Sequence, residues 1–319
     1  MVYLLLAYQV LLPLALLAAC MFVARRGSRT LWLLAVATTG LVLQLLALIG
    51  IWIVPPWWML WVYVALWLVA IGFGVRRWSS MSPMTRGVPA KIFALVLLLL
   101  ASYCVNESLW AWRGREAPAT RAQPLEFPLR DGEYLVLNGG SDIRLNAHLK
   151  TRDLSVPRFA RWRGNGYAVD IVAIDRWGLR ARGLLPKDNR NYRSFGRAVF
   201  APCSGKVIVA VDGLPDMTPP QYDSPDHLAG NHIILECGGL HVVLAHFRRG
   251  SIRVRVNERV IAGQLLAEVG NSGGTDEAHL HIHVQRPGTP DAPMSGEPIP
   301  ALFDGRFLVR GDRLKIPGG

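Results

Sequence analysis

Three histidines at alternate positions, His279, His281 and His283, follow a glycine-rich turn in the stretch GNSGGTDEAHLHIH, residues 270–283. In a strand, side chains at i and i+2 share a face and stand about 7 Å apart. The three imidazoles would then form a row, and such a row behind a tight turn is a natural edge for a metal site. The same spacing suits a solvated strand face, and alone it fits many unrelated sites. Five further histidines, at 148, 227, 232, 241 and 246, all fall in the same part of the chain. Of the four cysteines, Cys20 and Cys104 lie in apolar stretches and read as inert packing residues. Cys203 and Cys237 flank expected strands and are either a disulfide or two buried thiols. No cysteine spacing makes a Cys-type zinc signature.

The elements that position these residues follow a membrane anchor. The chain has 319 residues, 51% of them apolar, and a formal net charge of +12. No Asp or Glu occurs before Glu107, whereas seven Arg or Lys do. The high charge is thus no nucleic-acid footprint, and neither a basic helix nor aromatic-basic interleaving supports that class. Of four apolar stretches, 3–24, 31–54, 57–75 and 92–105, the first three reach or approach the roughly 20 residues that cross a bilayer, and the fourth is shorter. The fourth can be extended through Val88, Ala90 and Leu109, with Lys91 snorkelling. Trp57, Trp58 and Trp61 crowd one end of the third, as interfacial anchors do, and Trp110 and Trp112 mark the outer interface after the fourth. Arg25, Arg26 and Arg29 sit in one loop and Arg76, Arg77, Arg86 and Lys91 in another. The positive-inside rule puts both loops in the cytoplasm and both ends, Val2 and Gly319, outside. No ionisable group lies deep in a segment, so nothing suggests an ion pathway.

Residues 1–112 therefore read as a four-helix transmembrane region, and the proline-rich 113–130 as an extended linker. From 131 to 319 short apolar runs alternate with Gly, Pro, Asp and Asn, the texture of an all-β domain. Strands are expected at 134–137, 168–173, 205–211, 231–235, 241–245, 252–256, 264–269 and 279–284. The proline-rich loop 212–230 is long enough to flank a site.

With these pieces in order, the chain resembles the M23 family of zinc metallopeptidases, of lysostaphin and LytM type. The resemblance runs over 138–284. It is carried by Gly196, Ala201–Pro202, Gly205–Lys206–Val207, Gly230–Leu235, Ala245–His246–Phe247, Ala262–Gly263–Gln264, Gly270–Gly273 and His279–Leu280–His281. It implies a β-rich groove enzyme behind the transmembrane region. Its zinc is held by two histidines and one aspartate. Asp170 matches the aspartate, but the usual histidine position falls on Gly166, which cannot ligate. A divergent branch takes this ligand from an upstream Asn-x-His context, which Asn146–Ala147–His148 resembles. The resemblance thus implies His148, Asp170 and His281 as zinc ligands, with water in the fourth position, polarised toward neutral pKa. It implies His246 and His279 as the catalytic pair, one accepting the water proton and one facing the oxyanion. His283 stands where the common motif has Glu, and either supports His281 or lies at the surface. Asp276 and Glu277 are expected to shape the turn. His227, His232 and His241 have no assigned role.

The expected protein is an inner-membrane zinc endopeptidase with a periplasmic domain acting on peptidoglycan stem peptides or cross-links. Its surroundings would be the lipid bilayer and, in one reading, a regulatory membrane partner. The rivals are an inactive domain of the same fold that binds wall or a partner, and a membrane sensor or transporter with an accessory outer domain.

Overall fold

The computed structural model describes residues 2–221 and 227–317. The chain divides into two compact units, 1–112 and 113–319. Gly319, one of the two ends expected outside, lies beyond the described residues.

The first unit is built from four helices long and apolar enough to cross a membrane: α1 (Tyr3–Arg26), α2 (Arg29–Ile49), α3 (Met59–Arg76) and α4 (Val88–Arg113). α4 starts before and ends beyond the apolar run that marks it, because Val88–Ala90 and Glu107–Trp112 continue the helix on both sides. α1 takes a π-helical turn at Ala7–Leu11, just ahead of Pro13, whose missing N–H removes one bond from the regular ladder. Gln9 on that turn is fully buried. Its amide donates to the carbonyls of Ile51 and Val54 and accepts from Ile51 N–H, tying down the uncharged link between α2 and α3. At the other end the two basic loops meet. Arg29 N–H donates to Ser82 O at 2.9 Å, and the Arg29 side chain bonds Trp78 O. Both loops thus share one side of the bilayer, as the positive-inside rule requires. The first unit is a multi-pass membrane anchor, and the β-rich unit that follows lies outside the cytoplasm.

The second unit is β-rich. Its strands are β1 (Gln123–Leu125), β2 (Gly132–Asn138), β3 (Val169–Ile174), β4 (Ala198–Phe200) and β5 (Gly205–Val211). β6 (Asn231–Cys237), β7 (Leu240–Phe247), β8 (Arg259–Val260), β9 (Leu265–Glu268) and β10 (Leu280–Gln285) follow. The chain closes with β11 (Pro298–Ile299), β12 (Ala301–Phe303) and β13 (Arg313–Ile316). Among the described residues one antiparallel sheet runs β13-β2-β3-β10-β7-β6-β5-β8, with β11 added to β10. Alternation gives it two unlike faces. Val169, Ile171, Leu280, Ile282, Val242, Leu244, Ile233 and Leu235 point into the main core. Their neighbours point the other way and build the floor of a cleft.

Two expectations are corrected. Residues 113–130 are no linker. β1 pairs in parallel with β12, and Leu125, Phe127 and Leu129 are buried in the main core. Pro124 is tolerated because this is a two-stranded edge pair. Residues 252–256 form no strand. Their neighbour β9 already pairs with β4, and the segment meets it through Arg253, whose N–H donates to Leu266 O at 2.8 Å.

Cys203 and Cys237 are joined in a disulfide, while Cys20 and Cys104 are free and buried. Cys203 precedes β5 and Cys237 ends its neighbour β6. A side chain at Gly205 would lie 2.3 Å from Glu236 O and 2.9 Å from Cys237 Sγ, so glycine there keeps the bridge accessible to both strands. Denatured, unreduced protein should take up two equivalents of alkylating agent, and four after reduction. Labelling of all four without reductant would contradict the bridge. Cys203→Ser is expected to cost the domain about 2–4 kcal/mol.

Candidate metal centre and cleft

Strand register brings the site together. On β10, His281 pairs with Asp170 of β3 on one side and with Ala245 of β7 on the other. Cross-strand partners share a face, so Asp170, His281 and Ala245 stand in one row above the sheet. His283 and Val243 form the next row. By the same alternation His246 would fall on the core face. Instead its backbone adopts φ 65°, a left-handed conformation uncommon for residues other than glycine. This kink returns the ring to the cleft side, 4.8 Å from His279 and 5.7 Å from His281 by ring centroids. Strain of this kind clusters at functional sites.

The glycine-rich turn holds the kinked histidine. His246 Nδ1 donates to Ser272 O at 2.9 Å. Ser272 can approach only because Gly230, at φ 59°, lacks a Cβ, which would stand 2.2 Å from Ser272 O. His279 ends the turn and enters β10. Its Nδ1 donates to Glu277 O at 2.9 Å. The Glu277 carboxylate is itself buried and accepts from Arg180 Nε at 2.8 Å through both oxygens. Glu277 therefore shapes the turn, as expected.

His148 arrives from outside the sheet. Asn146, fully buried, stitches its loop down. Its amide donates to Gly140 O and to Ala168 O, two residues before Asp170, and its oxygen accepts from His148 N–H. The Asn-x-His context thus closes the 22-residue separation through one side chain. His148 Nε2 then lies 2.8 Å from Asp170 Oδ2. At the usual histidine position, a Cβ on Gly166 would meet Arg152 Cγ at 2.7 Å and Pro298 Cγ at 2.9 Å. That position is already filled.

Asp170 is the hub. Besides His148, its Oδ2 accepts from Asn138 Nδ2 at 2.8 Å. His281 Nδ1 lies 2.9 Å from Oδ1, and His279 Nε2 lies 3.5 Å from the same oxygen. Burial would push the Asp170 carboxyl up, but the charges of His148 and His279 outweigh it and hold it well below the usual range. Burial and the neighbouring imidazoles hold His246 and His283 far below the ordinary histidine value, and burial lowers His281. At His279 burial also opposes the cation, but Asp170 overrides it and the pKa is raised.

A relay behind the row fixes the tautomer of His281. Gln285 Nε2 donates to Pro293 O at 2.7 Å, so its oxygen faces His283 Nε2 at 3.3 Å and accepts from it. His283 Nδ1 then accepts from His281 Nε2 at 3.0 Å. With this tautomer the His281 proton is on Nε2 and Nδ1 faces Asp170 Oδ1 at 2.9 Å, so both atoms can turn to a bound cation. The donor set fits one. The ligand atoms of His148, Asp170 and His281 lie within 4.8 Å of one another, and so do those of His246, His279 and His281. Two imidazoles and a carboxylate suit zinc and leave a coordination position open.

Every histidine singled out for chemistry converges here, together with Asp170. His283 is buried, not at the surface. Asn138, Arg180 and Gln285 were missed, because only the folded register shows which chemistry-bearing group each one touches. His232 and His241 lie away from the row: His232 Nδ1 donates to Gly230 O, and His241 opens onto the far end of β7. Beside the metal centre lies a cleft of about 560 Å³, lined by His148, His246, His281, Val243, Trp162 and Met294 among others.

A family model described as Peptidase family M23 matches residues 192–294. This range contains His246, His279, His281 and His283 but starts after His148 and Asp170, whose inclusion in the cluster rests on geometry. The solution structure of lysostaphin is similar at 21% identity over 39% of this chain and 38% of that one, with a TM-score of 0.25. A putative peptidase M23 from Pseudomonas aeruginosa matches at 22% identity over 33% and 42%, with a TM-score of 0.22. The catalytic domain of lysostaphin from Staphylococcus simulans matches at 20% identity over 35% and 82%, with a TM-score of 0.23. The chain thus spans about two fifths of the length of the first two. No curated protein matches it. The match to M23 peptidases is distant and partial. It covers part of a β-rich domain that follows an N-terminal helical region.

Proposed function

We propose that this protein is a membrane-anchored zinc metalloendopeptidase that cleaves peptide bonds in peptidoglycan stem peptides or cross-links. The observation that carries the reading is the buried Asp170 at the centre of three imidazoles, beside an open cleft. His148, Asp170 and His281 would hold the metal. When bound there, zinc supplies Lewis-acid polarisation of a peptide carbonyl and acidifies water.

The remaining chemistry belongs to the chain. His246 donates through Nδ1 to Ser272 O, and its buried ring is kept neutral, so Nε2 is the acceptor for a proton from attacking water. His279 donates through Nδ1 to Glu277 O and turns Nε2 toward the centre, 3.5 Å from Asp170 Oδ1; protonated there, it suits an oxygen that gains negative charge. His283 and Gln285 keep the His281 lone pair aimed at the site. Placement outside the cytoplasm on a four-helix anchor supports a substrate in the wall near the membrane.

The test uses the full chain purified in detergent. Zinc-replete protein should bind about one zinc per chain and release new amino groups from purified peptidoglycan. Chelation should stop release and added zinc should restore it. Failure to bind zinc under replete conditions would overturn the reading and favour a wall- or partner-binding domain.

A further inference from the structure

The segment between His148 and Asp170 does more than return the chain to the sheet. It carries Lys150, Arg152, Arg158, Arg161 and Arg163 against one acid, Asp153. It also carries Phe159 and Trp162, half-buried, which wall the cleft over a floor of Val243, Ala229 and Met294. Arg152 is already occupied, donating to the Tyr167 hydroxyl at 2.7 Å. Lys150 and Arg158 are exposed and line the cleft together with His148, and among the described residues no Asp or Glu lines it with them.

The cleft does not stop at this wall. A second hollow of about 310 Å³ shares Trp162, Ala229 and Met294 with the first, then runs over Val209, Val211 and His232 to Arg161 and Asp291. The trough therefore crosses β7, β6 and β5 from the metal centre outward. Three strands about 4.8 Å apart give room for roughly three or four residues of extended chain at 3.3 Å each. Its floor is apolar, and the Lys and Arg side chains that line the hollow holding His148, His246 and His281 are Lys150 and Arg158. The far end has a charge of each sign.

We propose that this insertion selects the substrate: Lys150 and Arg158 receive a carboxylate of an acidic peptide that lies along the trough, within about three residues of the bond at the metal centre. The peptide's apolar parts cover Val243 and Met294. Its carboxylate takes charge-assisted hydrogen bonds from the two cations on the rim. Selection among peptides rests on the peptidase reading; recognition of the carboxylate does not.

The test separates the two. The probe is a dansyl-labelled tetrapeptide, Ala-Glu-Lys-Ala, with free carboxylates, against the same peptide with each carboxylate converted to the amide. Binding to full-length protein in neutral detergent, with chelator present, is read by fluorescence anisotropy, so turnover plays no part. The free acid should bind roughly 3- to 30-fold more tightly at low salt, the worth of two exposed ion pairs. The preference should shrink as salt rises. In the double variant Lys150→Gln, Arg158→Gln it should vanish, with zinc content and affinity for the amide unchanged. Equal binding of the two peptides by the unaltered protein, including no binding of either, would overturn the proposal without any variant. So would a double variant that keeps the preference. If zinc-loaded protein hydrolyses neither peptide nor peptidoglycan, the peptidase reading fails, and the binding preference still decides this proposal.

Discussion

Replacing His148 by alanine is expected to strip zinc from the protein and abolish peptide hydrolysis while the β-domain stays folded. His148 sits on a short 3-10 turn, Ala147–Arg152, outside the sheet, and its ring is partly exposed, so no strand pairing involves it. Without it Asp170 and His281 are two protein ligands, too few for an ordinary catalytic zinc. Zinc affinity should fall by more than the roughly 10–100-fold that follows loss of an outer partner of a ligand. Metal analysis of the purified full chain, with the Cys203–Cys237 bridge as a check on folding, decides the matter. The alternative is specific, because a second triad, His246, His279 and His281, has comparable spacing. If His148→Ala retains full zinc and His246→Asn loses it, the metal sits in that triad and His148 becomes a cap on Asp170. The first triad is preferred because it alone contains the carboxylate, and a buried carboxylate facing an imidazole lone pair is where a cation is stabilised most.

The site was legible where its order in the chain is local. The alternation His279, His281, His283 marks one strand face, and the turn before it marks the entry. The Asn-x-His context located His148, although nothing local in the sequence says how it reaches Asp170. That contact runs through Asn146 to the Ala168 carbonyl, a bond that exists only after folding. Asn138 is invisible for the same reason: it lies on a strand whose pairing with Asp170 follows a register shift. The kink at His246 is equally hidden, because an apolar run such as Leu240–Phe247 reads as regular alternation. The helices were plain from length and hydropathy. Prolines signal linkers on average, so 113–130 reads as one, whereas β1 pairs with Ala301–Phe303 and Phe127 packs on both Tyr134 and Phe303. Such long-range pairing leaves no local trace.

Exchanging His246 for asparagine, or His279 for glutamine, should leave zinc bound but slow hydrolysis by roughly 10²–10⁴-fold, the worth of a positioned proton-transfer group. Asparagine is the right probe at 246 because it tolerates the left-handed backbone there, so the loss reports on the imidazole rather than on strain. Both rings spend Nδ1 on a carbonyl, Ser272 O for His246 and Glu277 O for His279. Each therefore presents only Nε2 to the cleft, and each can do one proton or charge task and no other. Their surroundings divide the tasks: His246 has its neutral form favoured, and His279 sits by the Asp170 carboxylate. On the proposed reading they serve one transition state, so the double variant should be little slower than the worse single variant, as happens with residues that act as a unit. Zinc content and kcat measured side by side on the three variants provide the check. Loss of zinc in His246→Asn would move that residue to the metal. Additive losses in the double variant would show that the two histidines act in separate steps.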